Sequence, residues 1–286
     1  MTKQKNIVVV GAGTMGNGIA QTFAMNGHRV TMVDLDSAAL ERGLANIEKS
    51  LNRFLKKELM DQNAVEATLG RITTSENLST AVNDVDLVIE AVVENETVKQ
   101  AIFKQLDAEA PADAILASNT SSISITRIAQ ACSKPDRVIG MHFMNPVPLM
   151  KLVEIIKGER TSEATLESTV ALSESLGKVV GIAEDYPGFI ANRILMPMIN
   201  EAAFALMEGV GTREAIDTVM KLGCNFPMGP LALADFIGLD ICVSILDVLH
   251  QGLGDSKYCC CPLLRRLAEA GKCGRKSGEG FYVYDG

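Results

Sequence analysis

The sequence lacks several features that would each have set its class. No uninterrupted apolar stretch approaches the roughly 20 residues that a membrane-spanning helix needs. Basic residues do not predominate: 27 Lys and Arg against 35 Asp and Glu leave a formal net charge of −8. A surface of that sign does not displace counterions from nucleic acid, so no nucleic-acid partner and no membrane are expected. No Cys-x-x-Cys pair occurs among the seven cysteines. Cys132, Cys224, Cys242 and Cys273 stand alone, while Cys259, Cys260 and Cys261 are adjacent, a spacing from which thiols do not easily converge on one tetrahedral zinc. Reduced thiols are expected there in place of a metal site, with the 259–261 tract open to oxidation if exposed. There is no internal repeat and no low-complexity segment. Met1-Thr-Lys-Gln-Lys leads straight into an apolar run, which leaves no room for a leader and makes a cytoplasmic setting the expectation.

What is present is a globular composition. The 286 residues, 47% hydrophobic and 22% charged, suit one large or two ordinary domains with a sizeable core. Residues 7–10 are a β-branched run, as in a strand buried on both faces. Gly11-Ala-Gly13-Thr-Met-Gly16 follows at once, then a helical spacing through Gly18 that Asn26-Gly27 ends, then a second strand at 30–33 closed by Asp34. Ser37 is placed to cap a long polar helix through Lys49, Arg53, Lys56 and Lys57, and a second helical stretch follows Asp61. Further strands are expected at 87–92, 115–117, 137–143, 152–156 and 179–182, with helices at 98–110 and 166–176. That alternation predicts a Rossmann-type, doubly wound, mostly parallel sheet. After Asp185-Tyr-Pro-Gly188 the β-branched runs stop and Ala, Leu, Met and Glu recur at helical spacing, broken by turns at 209–211, 227–230 and 252–254. The expected domains are therefore 1–187, α/β, and 188–286, nearly all helix.

The glycine run has the context that gives it meaning. Gly11 permits the tight turn, Gly13 lets backbone approach a pyrophosphate, and Gly16 lets helix and strand pack closely. The helix N-terminus then offers N–H groups and partial positive charge to phosphates. Asp34 is placed to accept hydrogen bonds from the ribose hydroxyls and to repel a 2′-phosphate, and no arginine follows at once, so NAD is expected over NADP. A glycine turn with no ligand is the plainer alternative.

His142, at the end of an apolar strand, is followed by Phe-Met-Asn-Pro-Val-Pro, and Glu154 lies on the next strand. A turn between the strands would join them as a general base and its orienting carboxylate. A buried core histidine with Glu154 on the surface fits the spacing equally well.

The runs Ala117-Ser-Asn-Thr-Ser-Ser-Ile and His142-Phe-Met-Asn-Pro-Val-Pro-Leu-Met-Lys-Leu-Val-Glu154 resemble the L-3-hydroxyacyl-CoA dehydrogenase family. So do Pro187-Gly-Phe-Ile-Ala-Asn192-Arg, Met220-Lys-Leu-Gly, Pro227-Met-Gly-Pro and the ending Gly274-Arg-Lys-Ser-Gly-Glu-Gly-Phe-Tyr282. The match spans essentially the whole chain in order and is strongest to the bacterial short-chain members, the 3-hydroxybutyryl-CoA dehydrogenases. The resemblance implies a catalytic set of His142, Glu154, Ser121 and Asn192. It implies cofactor contacts at Gly11, Gly13, Thr14, Met15, Gly16, Asp34, Glu94, Lys99, Asn119, Ser121, Asn145 and Lys276. Glu94 and Lys99 would lie near the ribose and nicotinamide, Asn145 beside the nicotinamide amide, and Lys276 would reach in from the tail. Ser121 and Asn192 would touch the substrate oxygen, and Ser50 and Lys57 its coenzyme A part. Ser121 and Ser122 as helix caps, Asn192 as a cap, and the basic helix as a solvated face remain open. The implied reaction is NAD-dependent interconversion of (3S)-3-hydroxybutyryl-CoA and acetoacetyl-CoA by a homodimer. Leu195, Met198, Ala202 and Leu206 are spaced to form either a dimer face or internal core. A dehydrogenase of a free 3-hydroxy acid or sugar acid, or a non-catalytic NAD-binding protein, is the alternative. Tyr258-Cys-Cys-Cys-Pro262 departs from the polar or basic stretch usual in relatives.

Overall fold

A computed structural model describes residues 4–284. Among them the chain forms eight strands and twelve α-helices and divides between Tyr186 and Pro187 into two compact units. In the first unit the strands are β1 (Asn6–Val10), β2 (Arg29–Val33), β3 (Ile72–Ser75), β4 (Leu87–Glu90), β5 (Ile115–Ser118), β6 (Val138–Phe143), β7 (Leu152–Lys157) and β8 (Val179–Glu184). Its helices are α1 (Thr14–Met25), α2 (Ser37–Lys56), α3 (Gln62–Leu69), α4 (Leu78–Ala81), α5 (Glu96–Glu109), α6 (Ile125–Ala129) and α7 (Glu163–Ser175).

The eight strands make one sheet in the order β3-β2-β1-β4-β5-β6-β7-β8. From β3 to β6 all neighbours are parallel, in the 3-2-1-4-5-6 arrangement of a doubly wound nucleotide-binding sheet. The expected Rossmann-type sheet is what forms. β6 and β7 run antiparallel because residues 144–151 are too few for a crossover, which takes a dozen or more, whereas β7 and β8 are again parallel through α7. The central strands are largely apolar because helices cover both faces; Val9, Ile89, Ile139 and Ile155 are fully buried in one cluster with Phe23, Ile47 and Leu51 from the helices.

Two local expectations change. Asp36, not Ser37, caps α2: its side chain accepts from Ala38 N at 2.9 Å, and Ser37 is already helical. A carboxylate serves that position as well as a hydroxyl. Strand β3, Ile72-Thr-Thr-Ser, had no sequence signal, since it is a short edge strand with a single buried side chain.

The second unit carries α8 (Ala191–Met207), α9 (Arg213–Thr218), α10 (Pro230–Ile237), α11 (Leu239–Leu253) and α12 (Pro262–Glu269). Its core gathers Met196, Ile199, Leu231, Leu246, Leu249, Leu264 and Phe281. Of the four residues considered for a dimer face, Ala202 is buried in this core and Leu195 and Leu206 are partly buried against it. No helix among the described residues is long and apolar enough to cross a membrane.

Candidate active site

The carboxyl ends of β1, β2, β4, β5 and β6 converge at one edge of the sheet, where ligands bind in folds of this order. The glycine turn comes first. A Cβ on Gly16 would stand 1.8 Å from the Gly11 carbonyl oxygen, so only glycine lets α1 start this close to β1. A Cβ on Gly13 would meet nothing within 4 Å. The two glycines thus do different work: Gly16 satisfies the fold, and Gly13 keeps open a space that the fold does not fill. Gly13 is the N-cap of α1 and no side chain caps the helix, while Thr14 is exposed and Met15 half-buried beside it. Asp34 ends β2 and accepts from Ala12 N at 2.9 Å and from Asp36 N at 3.1 Å, which holds its carboxylate against the turn. An open cradle at a helix N-terminus with a carboxylate at the next strand's end fits the pyrophosphate and ribose of NAD.

A buried polar network lies under the β4 and β5 ends. Glu90, fully buried, accepts from Lys99 Nζ at 2.6 Å, from Val92 N at 2.8 Å and from Ser118 Oγ at 2.7 Å. Lys99 is itself 1% exposed and lies 3.4 Å from Glu94 Oε2. The Lys99 ammonium is therefore enclosed between two carboxylates, and it bears on the site through Glu94. Glu94 Oε1 accepts from Thr120 Oγ1 at 2.6 Å, from Ser121 N at 3.0 Å and from Ser122 N at 3.2 Å. Burial opposes ionisation of Glu94, but Lys99 and these donors outweigh it and hold its carboxyl below the usual range. Ser121 and Ser122 face Glu94 and do not cap α6; that role falls to Ser124, which accepts from Arg127 N at 3.2 Å. Asn119 Oδ1 accepts from Phe143 N at 2.9 Å and so ties the end of β5 to the residue after His142.

His142 and Glu154 are register partners across the β6–β7 ladder, so their side chains leave the same face of the sheet. His142 Nδ1 lies 3.0 Å from Glu154 Oε2, with the two residues 9% and 2% exposed. A carboxylate can only accept, so Nδ1 donates, and the ring's second nitrogen, Nε2, is the one that takes or gives a proton. Neither a solvated glutamate nor a plain core histidine describes this pair.

Residues 6–186 match the family model for the 3-hydroxyacyl-CoA dehydrogenase NAD binding domain, and residues 188–284 the model for the C-terminal domain. The chain belongs to the 3-hydroxyacyl-CoA dehydrogenase family. It is 55% identical over 281 residues to a probable 3-hydroxybutyryl-CoA dehydrogenase of Bacillus subtilis, covering 98% of each chain. It is 45% identical to the human mitochondrial hydroxyacyl-coenzyme A dehydrogenase, over 98% of this chain and 91% of that protein. Among solved structures, (S)-3-hydroxybutyryl-CoA dehydrogenase PaaH1 from Ralstonia eutropha superposes with a TM-score of 0.96 at 48% identity, over 99% of this chain and 100% of that one. The resemblance read in the sequence is borne out, and with it an NAD-dependent oxidoreductase.

The remaining expected residues of this dehydrogenase lie on the β6–β7 loop, on α2 and in the second unit. Asn145 is exposed on the β6–β7 loop, just before a cis bond to Pro146. Asn192, in the first turn of α8, and Lys276 belong to the second unit; Asn192 is 8% exposed, and Lys276 Nζ lies 2.7 Å from Asp240. On α2, a recess of about 380 Å³ is lined by Ala45, Glu48, Lys49, Asn52, Arg53 and Lys56. Ser50 and Lys57, seven residues apart, fall on a neighbouring stripe of the helix and do not line it. Among the described residues no group of three or more His, Cys, Asp or Glu is arranged for a metal ion, and all seven cysteines are free. Cys259 and Cys260 are half-buried, Cys261 is buried, and burial pushes the Cys260 thiol up to about 11.

The sequence reading missed Glu90, Thr120 and Lys178. A carboxylate closing the otherwise apolar run Leu-Val-Ile-Glu90 was a usable signal, because a charge at a buried strand's end needs a partner. Thr120 and Lys178 had none.

Proposed function

We propose that this protein interconverts (3S)-3-hydroxybutyryl-CoA and acetoacetyl-CoA with NAD. The observation that carries the reading is the buried His142–Glu154 pair at the carboxyl edge of a sheet that also bears an open glycine cradle and Asp34. NAD, when bound, supplies the hydride acceptor for the oxidative direction. His142 takes the proton of the substrate hydroxyl through Nε2 as the C3–H bond gives up its hydride. Glu154 holds the ring's orientation and stabilises the imidazolium that results. In reduction the imidazolium returns that proton to the keto oxygen. General acid–base assistance of this kind is worth about 100- to 10,000-fold in rate.

Ser121, fixed by its backbone bond to Glu94, is assigned to the substrate oxygen, and Asn192 is assigned to it as a second donor. Gly11, Gly13, Thr14, Met15 and Gly16 serve the pyrophosphate, Asp34 the ribose, and Glu94, Asn119 and Asn145 the nicotinamide end. Lys99 acts by supporting Glu94. Lys49, Arg53 and Lys56 supply a cationic surface suited to the phosphates of coenzyme A, with Ser50 and Lys57 beside it. Residues 1–187 form the NAD-binding domain and 188–286 the substrate and dimerisation domain of a cytoplasmic homodimer.

The test is loss of NADH absorbance with acetoacetyl-CoA, run beside NADPH and beside free acetoacetate. Turnover confined to NADH and the CoA ester is the expected result. Turnover of free acetoacetate with an inert CoA ester would move the substrate class to free hydroxy acids, and NADH binding without any turnover would leave a non-catalytic protein.

A further inference from the structure

The loop that joins the base strand to the acid strand is held on two sides by groups far from it in sequence. Residues 144–151 leave β6 after His142 and enter β7 just before Glu154. Their own turn is slight: Leu149 N and Met150 N both donate to the Pro146 carbonyl, each at 3.0 Å. On one side Val147, 2% exposed, rests against α1. A Cβ on Gly18 would stand 3.0 Å from Val147 Cβ and 3.6 Å from Pro148 Cδ, so the glycine is a notch in the dinucleotide helix into which the loop fits. On the other side stands Lys178, 8% exposed, at the entry to β8. Its Nζ donates to Val147 O at 2.6 Å and to Met150 O at 2.7 Å.

An ammonium is costly to bury unless its protons are used, and no carboxylate pairs with this one among the described residues. Burial lowers its pKa, as expected of a cation without a counter-charge. What it obtains is two charge-assisted bonds to carbonyls that no strand partner satisfies. Those bonds are spaced across the turn, so they set its shape and do not merely anchor one point.

We propose that Lys178 is a positioning residue for catalysis: by clamping the 144–151 loop into the Gly18 notch, it holds Asn145 in place and fixes how His142 meets Glu154. This rests on the assignment of His142 and Glu154 as the acid–base pair. Lys178 acts through the loop and contacts neither substrate nor cofactor.

The experiment uses the full chain and two independent variants, Lys178→Met and Gly18→Ala, with His142→Ala as reference. Lys178→Met removes both donors at nearly the same volume. Gly18→Ala pushes the loop from the other side while improving helix propensity in α1, so it keeps the fold even if Lys178→Met does not. The readouts are kcat with acetoacetyl-CoA, the NADH dissociation constant by cofactor fluorescence, and hydrogen exchange at the 144–151 amides. A displacement of about 1 Å costs up to about 100-fold in rate. The expected result is a fall in kcat of about 10- to 100-fold for Lys178→Met and a smaller fall for Gly18→Ala. NADH affinity should stay within about threefold, and faster exchange should be confined to the loop. A folded Lys178→Met with kcat within twofold of wild type, or with NADH affinity lost in step with kcat, overturns the proposal; if that variant does not fold, unchanged kcat in Gly18→Ala overturns it. Full turnover by His142→Ala would instead overturn the acid–base assignment itself.

Discussion

Glu154→Gln isolates the charge in the acid–base pair. The carboxylate is 2% exposed, and its Oε2 lies 3.0 Å from His142 Nδ1. Glutamine has the same length and its amide oxygen accepts the same bond, so the ring keeps its orientation and its Nδ1 proton. What is lost is the negative charge beside the imidazolium that forms as His142 takes the substrate proton in the oxidative direction. Two unit charges about 4 Å apart interact by about 4 kcal/mol at an effective dielectric of about 20. The amide dipole recovers part of this, so about 2–3 kcal/mol of transition-state stabilisation should go, equivalent to a fall in kcat of about 30- to 150-fold. The measurements are kcat in both directions, NADH affinity by fluorescence, and the melting temperature. NADH affinity should hold, since the glycine cradle and Asp34 are untouched. The melting temperature should not drop by more than a few degrees, because the variant removes a buried charge and leaves its partner able to stay neutral. A loss under fivefold, or one mirrored by weaker NADH binding, would refute the role given to Glu154.

Gly13→Ala should fold normally, because its methyl meets no protein atom within 4 Å, yet weaken NADH binding at least tenfold by filling the cradle; Gly16→Ala, at 1.8 Å from a carbonyl oxygen, should not give a folded protein. Equal NADH affinity in a folded Gly13→Ala would place the pyrophosphate elsewhere. Asp34→Ala should narrow the preference for NADH over NADPH, and an unchanged ratio of kcat/KM values would remove Asp34 from the ribose site. Glu94 is held below its ordinary value of 4.5, so its folded form binds fewer protons than its unfolded form. Its contribution to stability is present above pH 4.5 and is lost as pH falls through the folded value. Glu94→Gln should therefore flatten the acid side of the melting-temperature profile, and an unaltered acid limb would contradict the assigned shift.

Where the sequence was legible, the side chain declared its own environment. Residues 7–10 could only be a doubly covered strand, and the glycine triplet between them and a helix could only be a tight turn. Chemistry that depends on residues distant in sequence was not legible in that way. Lys99 was placed near the cofactor by the resemblance alone, and no pattern in its helix announces that its ammonium is enclosed between Glu90 and Glu94. Lys178 carries no signal in the sequence, yet its ammonium donates to carbonyls in a loop some 30 residues earlier. β3 is short and mostly polar, and it exists because β2 offers an edge, not because its own residues demand a strand.

The acid–base pair stands between these cases. His142 and Glu154 each announce themselves as polar residues in apolar strands, but their meeting depends on register. In the observed ladder His142 faces Glu154, with Met141 against Ile155 and Phe143 against Val153. A slip of one residue would set His142 opposite an apolar side chain and turn the carboxylate to the other face of the sheet. Hydrophobic patterning alone resists that slip weakly here, since β6 is buried at every position and either face would accept its side chains. The register must then be fixed from the ends. Asn119 grips Phe143 N from the β5 side, and Lys178 and Gly18 grip the loop beyond it. The acid–base pair itself sits on two neighbouring strands within thirteen residues, while the groups that decide whether its members meet are scattered along the chain. That is why the reaction class can be read from a short motif and its positioning cannot.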